Sequence, residues 1–164
     1  MNKLYQNWII IILFISSGAI ITALIAEHFF NKYPCQLCIY QRYPYYLMIM
    51  LSLFYFVRNF SLILYSIIST LSFFVGSIFA LWHVGVEKNI LPGLSGCTIS
   101  LNSSESLGDL KNKILSQPIT NCEDVIWTFF GFSAASVNSI LYICLFILST
   151  IYCYKKLNEK QKKK

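Results

Sequence analysis

Three stretches of this 164-residue chain run without a charged side chain for about the thickness of a lipid bilayer: residues 8–26, 60–82 and 125–154. A helix crossing the ~30 Å hydrocarbon core needs roughly 20 apolar residues, and only helices and closed barrels satisfy every backbone hydrogen bond there. A fourth uncharged run, residues 43–57, is shorter. At 1.5 Å per residue it covers only about 22 Å, so a full crossing has to start earlier, near Cys38. The runs predict an all-α integral membrane fold, a bundle of four transmembrane helices. The spans fall at about 8–26, 40–57, 60–82 and 133–153, in a single membrane domain covering 1–164. Charged residues are only 12% of the chain, about half the share in soluble domains.

The first apolar run is longer than the ~7–15-residue core of a secretory signal, and no clear small-x-small cleavage site follows it, so it is read as a retained span. With four spans both termini lie on one side. That side carries Lys3, Arg58, Lys155, Lys156, Lys160, Lys162, Lys163 and Lys164 against the single acid Glu159. The other side carries Lys32, Arg42, Lys88, Lys111 and Lys113 with six acids. An excess of lysine and arginine marks the cytoplasmic side. The expected topology is therefore a multi-pass protein with cytoplasmic termini and a tail at 155–164. The net charge of +6 is then a topology signal, and no nucleic-acid partner is expected.

Two loops face the outer compartment in this arrangement, at about 27–39 and 83–132. The second is long, and loops beyond about 12–15 residues are usually functional or disordered. Within it Leu107, Leu110 and Ile114 recur at helical spacing among Asp109, Lys111 and Lys113. That pattern predicts a short amphipathic helix resting on the membrane surface.

Four of the six cysteines fall in these loops: Cys35 and Cys38 in the first, Cys97 and Cys122 in the second. Three pairings are possible in principle, local pairing being the simplest. A Cys97–Cys122 bond would close a loop of about 26 residues and stabilise it by roughly 3–4 kcal/mol. Stapling does not account for Cys35-Gln36-Leu37-Cys38, where so small a ring gains little. Two cysteines at that spacing form an easily exchanged disulfide, and a nearby cation favours the reactive thiolate. A zinc ion held by all four cysteines is the other use of such a set, but the distant pair lacks tight ligand spacing, and no metal is expected. Cys144 and Cys153 lie in or at the end of the fourth span and read as small apolar residues.

Arg42 stands one helical turn beyond Cys38. On a helix starting near Cys38 the two share a face at i and i+4, with Cys35 at i−7. An ionisable side chain at membrane depth marks a functional site by default, the alternative being an arginine that snorkels to the headgroups. Pro44 disfavours helix at Tyr43, so a kink or a restart is expected there.

The run Cys35-Gln36-Leu37-Cys38-Ile39-Tyr40-Gln41-Arg42, opening the second of four spans, resembles the DsbB family of bacterial inner-membrane disulfide-generating proteins. So do His83-Val84-Gly85-Val86-Glu87 after the third span, Gly96-Cys97, and Pro118 to Cys122 followed by Trp127 and Phe130-Gly131-Phe132. The resemblance covers essentially the whole chain. It implies a protein-disulfide:quinone oxidoreductase, with Cys35 and Cys38 as the quinone-proximal pair and Cys97 and Cys122 as the loop pair. A reduced periplasmic DsbA-like thioredoxin-fold partner would attack the loop disulfide at Cys97. Cys122 would pass the electrons to Cys35–Cys38, and Cys38 would face ubiquinone or menaquinone held by Arg42, with His83 nearby. It further implies a monomer in the inner membrane with its active cysteines in the periplasm. A strongly oxidising acceptor is required: a thioredoxin-like pair near −270 mV would oxidise a DsbA-like partner near −120 mV uphill by about 7 kcal/mol.

Other readings make different demands. A four-span structural protein with a static loop disulfide needs no exchangeable Cys35–Cys38 pair. A thiol oxidoreductase similar to vitamin K epoxide reductase carries its active pair in the last span, the reverse of the order here. A carrier passing reductant across the membrane needs thiols reachable from both faces, and Cys144 and Cys153 lie too far along one helix from the outer pairs.

Overall fold

The structure is a computed structural model that describes residues 3–58, 61–93, 122, 128–129 and 131–162. Four long helices account for nearly all of it: α1 (Lys3–Phe29), α2 (Gln36–Arg58), α3 (Leu62–Glu87) and α4 (Ala134–Gln161). A two-residue hairpin, β1 (Thr128–Phe129) and β2 (Phe132–Ser133), precedes α4. Thr128 pairs with Ser133 and Phe129 with Phe132, and Gly131 supplies the positive φ of 83° that the turn needs. Cys97 and the helix expected around 107–114 lie outside the described residues, as do Trp127 and Phe130.

Each helix turns one narrow stripe inward. In α2 the buried positions are Leu37, Gln41, Pro44, Tyr45, Met48, Ser52 and Tyr55, and in α4 Ala135, Ser139, Tyr142, Leu145 and Ser149. The three- and four-residue steps are those of helices packed side by side. The opposite faces stay apolar although exposed: Phe14, Met50, Leu71 and Ile140 are all open to the surroundings. Apolar surface on that scale belongs against lipid. Among the described residues three helices are long and apolar enough to cross a membrane, α1 from Tyr5, α3 and α4; the more polar α2 packs between α1 and α3.

α1 and α2 extend beyond the expected spans at both ends, α3 and α4 at their C-terminal ends only. α2 begins at Gln36, so Cys38 sits in its first turn. α3 continues through Glu87, which places His83 inside the helix and not at the start of the outer loop. Asn31 and Asn89, both at positive φ, follow α1 and α3 as left-handed stops, a role asparagine tolerates. Of the kink or restart expected at Pro44, the restart does not occur. The helix runs through it with the ring buried, and side chains of neighbouring helices donate to two carbonyls close by. Ser72 of α3 donates to the Pro44 carbonyl at 3.4 Å, and Tyr142 of α4 donates to the Gln41 carbonyl.

Small residues allow the close contact between α3 and α4. A β-carbon on Gly76 would stand 2.3 Å from the Tyr142 ring, so only glycine leaves room for that ring. At the far end of the bundle Trp8 stacks on Tyr152 at 4.5 Å, and Tyr5 donates to Glu159 at 3.0 Å. At the cysteine end Ser133 caps α4 by accepting from the Ser136 N–H at 3.1 Å and donates to Glu87 at the end of α3.

Candidate redox site

The first turn of α2 brings Cys35 and Cys38 together, with their sulfurs 3.2 Å apart as thiols. Cys35 is buried, and the Cys38 backbone N–H donates to its sulfur at 3.4 Å. Cys35, Cys122, Leu37 and Val86 form one buried cluster against which Cys38 and Trp82 pack. Cys122 thus packs with the C-x-x-C pair although it stands 84 positions after Cys38 in sequence.

His83 enters from α3. Its Nε2 lies 3.5 Å from Cys35 Sγ, and its Nδ1 lies 2.9 Å from the Gln41 amide nitrogen. Asn138 of α4 donates to Gln41 Oε1 at 2.6 Å, and Tyr45 donates to Asn138 Oδ1 at 2.8 Å. Hydrogen bonding to Cys38 first, and burial second, push the Cys35 thiol up to about 12. At neutral pH Cys35 therefore keeps its proton and shares it toward Cys38.

Beside this group a cavity of about 210 Å3 is lined by all four helices. α1 contributes a wall of small residues, including Ala19, Ala23 and Ala26, while Cys38, Gln41, Arg42, His83 and Asn138 supply the polar side. Cys38, not Cys35, is the sulfur on the cavity wall. Arg42 reaches the same cavity, as expected from its i+4 relation to Cys38, and it is held by Glu27 of α1 at 2.9 Å. Lys32 adds a second cation to the lining. An apolar wall facing convergent polar groups is the common form of a small-molecule site.

Cys35 Sγ, Cys38 Sγ and a His83 ring nitrogen all lie within 4.8 Å of one another, a set that could also face a metal ion. Two thiolates on one tetrahedral zinc would stand about 3.8 Å apart, from Zn–S bonds of ~2.3 Å. The observed 3.2 Å is closer and suits sulfurs approaching a disulfide.

The sequence profile described as "Disulfide bond formation protein DsbB" matches residues 5–152. The chain belongs to the DsbB family. A similar protein is the uncharacterized protein RP370 of Rickettsia prowazekii (strain Madrid E), 34% identical over 159 residues. That match covers 94% of this chain and 92% of the relative. No solved structure matches the chain. As a DsbB-family protein with apolar helices of membrane-crossing length, it is a membrane thiol oxidoreductase of disulfide bond formation.

Reading this DsbB-family site from sequence alone missed four of its residues: Gln41, Asn138, Tyr45 and Glu27. Asn138 had a signal, since it is the lone amide in the uncharged run 125–154, and an isolated polar group in a span calls for a partner. Cys144 and Cys153 stay remote, Cys144 exposed and Cys153 half-buried.

Proposed function

We propose that this protein reoxidises a periplasmic DsbA-like thiol oxidase and passes the electrons to a membrane quinone, ubiquinone or menaquinone. The observation that carries this reading is that Cys38 and Arg42 share one cavity wall while Cys35 and Cys122 are buried together behind Cys38. In the relay, a partner thiolate attacks Cys97 Sγ and breaks the Cys97–Cys122 bond, leaving a mixed disulfide and a Cys122 thiolate. The partner's second thiol resolves the mixed disulfide and leaves oxidised. Cys122 attacks the Cys35–Cys38 disulfide, and a thiolate is released at Cys38. Two electrons have then moved from the partner to the C-x-x-C pair, with re-formation of Cys97–Cys122 completing the exchange.

The cavity suits a quinone head group. The alanine wall of α1 takes a flat apolar ring, and Arg42, Lys32 and the Asn138 amide offer donors to carbonyl oxygens. A quinone supplies a two-electron, two-proton acceptor, so that the Cys35 and Cys38 thiols end as a disulfide. Arg42 stabilises negative charge beside Cys38, with Glu27 holding the guanidinium in place. α2 completes the fourth membrane crossing, and the excess of cations at the Trp8–Tyr152 end sets that end in the cytoplasm. The cysteine end then opens to the periplasm of an inner membrane.

Serine substitutions separate the two halves of the relay. With dithiothreitol as electron donor, Cys97→Ser and Cys122→Ser retain quinone reduction, whereas Cys35→Ser and Cys38→Ser abolish it. With a reduced DsbA-like donor all four variants are inactive. Full quinone turnover by Cys38→Ser would remove the basis of the proposal.

A further inference from the structure

Six side chains, five on three helices and Cys35 just before α2, form a hydrogen-bond chain in which every donor points the same way. Its orientation is fixed by a group that cannot be turned around. The Gln41 amide nitrogen lies 3.5 Å from the Phe79 backbone oxygen, a weak contact but one that admits only a donor. The nitrogen of Gln41 therefore faces Phe79 and His83, and its oxygen faces Asn138. Asn138 must then present its NH2 to Gln41 and its oxygen to Tyr45, as observed at 2.6 and 2.8 Å. With an N–H of Gln41 aimed at His83 Nδ1 from 2.9 Å, that ring nitrogen must offer a lone pair. The ring proton then sits on Nε2, 3.5 Å from Cys35 Sγ, and the Cys35 thiol donates in turn to Cys38 at 3.2 Å.

We propose that Tyr45, Asn138 and Gln41 are positioning residues that hold His83 in its Nε2–H tautomer and thereby decide which sulfur of the pair carries negative charge. With Nε2–H facing it, the Cys35 thiol finds no acceptor on His83 and gives its proton to the hydrogen bond with Cys38, so negative charge on the sulfur that lines the cavity keeps a donor. With the opposite tautomer, the Nε2 lone pair would take the Cys35 proton, and the thiolate would form on the buried sulfur facing away from the cavity. Each donor in such a chain polarises the next, so the buried Tyr45 and the half-buried Asn138 act on Cys38 without touching it. No bond between heavy atoms changes in this step. The usefulness of the selection rests on the quinone reading; the selection itself does not.

The chain holds two histidines, so in a His28→Gln background the ring-15N spectrum of the full-length protein in micelles reports His83 alone. The expected spectrum has a protonated Nε2 and an unprotonated Nδ1. Asn138→Asp provides an acceptor where Gln41 needs a donor, turning the Gln41 amide and moving the ring proton to Nδ1. In the reduced protein, mass spectrometry after limiting iodoacetamide should find Cys38 alkylated ahead of Cys35. In Asn138→Asp that ratio should fall about tenfold, the weight of one hydrogen bond to a charged sulfur. A His83 ring protonated at Nδ1 in the His28→Gln protein would overturn the proposal, as would a tautomer unmoved in folded Asn138→Asp. Neither arm contains quinone or partner protein, so failure here and failure of the proposed electron transfer are separate results.

Discussion

Cys35 and Cys38 are chemically unequal although three positions apart, because their neighbours differ. Cys35 is buried and gives its hydrogen bond to Cys38, which is why its thiol stands near 12. Removing the acceptor removes the largest of those causes. In Cys38→Ala the pH at which Cys35 becomes alkylatable is expected to fall, measured from the modified Cys35 peptide across a pH series. A midpoint unchanged or raised in that variant would show that Cys38 is not what holds the proton. Arg42 is nearly enclosed and paired with Glu27, so Arg42→Gln trades a charged donor for a neutral one beside the cavity. A hydrogen bond to a charged group is worth about 1.5–3 kcal/mol, so the apparent KM for quinone is expected to rise tenfold or more. Cys38 and Arg42 stood out in the sequence because their spacing puts them one turn apart on a shared helix face, with Cys35 three residues before Cys38. His83 was legible only as a candidate near the end of a span, since composition cannot show that α3 continues for another turn.

At the scale of the elements, packing between helices decides what a substitution does. Gly76 faces the Tyr142 ring with no space for a β-carbon. Gly76→Ala is expected to destabilise the protein by about 1–3 kcal/mol, the usual cost of overpacking, and to loosen the Tyr142 bond to the Gln41 carbonyl. Around Gly18 in α1, by contrast, the position a β-carbon would take has nothing within 4 Å. Gly18→Ala should therefore be neutral or stabilising by up to about 1 kcal/mol through backbone entropy alone. Thermal midpoints of both variants in the same micelle check the contrast, and equal effects would contradict it. The existence and approximate reach of the helices could be read from uncharged run lengths. Their inward stripes could not, because in a chain this apolar both faces of each helix look alike. The continuity of α2 through Pro44 was equally hidden, since a proline disfavours helix at the residue before it.

For the whole molecule, the bundle brings together residues remote in sequence: Glu27 from α1, Cys38 from α2, His83 from α3 and Asn138 from α4 line or adjoin one cavity. The family could be recognised from the C-x-x-C run and the second cysteine pair, and residues 5–152 match its profile. The meeting of Cys122 with Cys35 is a product of tertiary structure that no spacing rule supplies. The charge asymmetry gives a further expectation: a membrane-impermeant maleimide added to intact cells should label reduced Cys38 but not a cysteine introduced at Lys160. Labelling of both positions, or of the tail alone, would reverse the proposed topology. The central claim, that thiol electrons leave through a quinone, is tested most directly by stopped-flow absorbance with the purified protein, a reduced DsbA-like partner and ubiquinone or menaquinone. One quinone reduced for each partner disulfide formed is the expected result; oxidation of the partner with neither quinone consumed would contradict it.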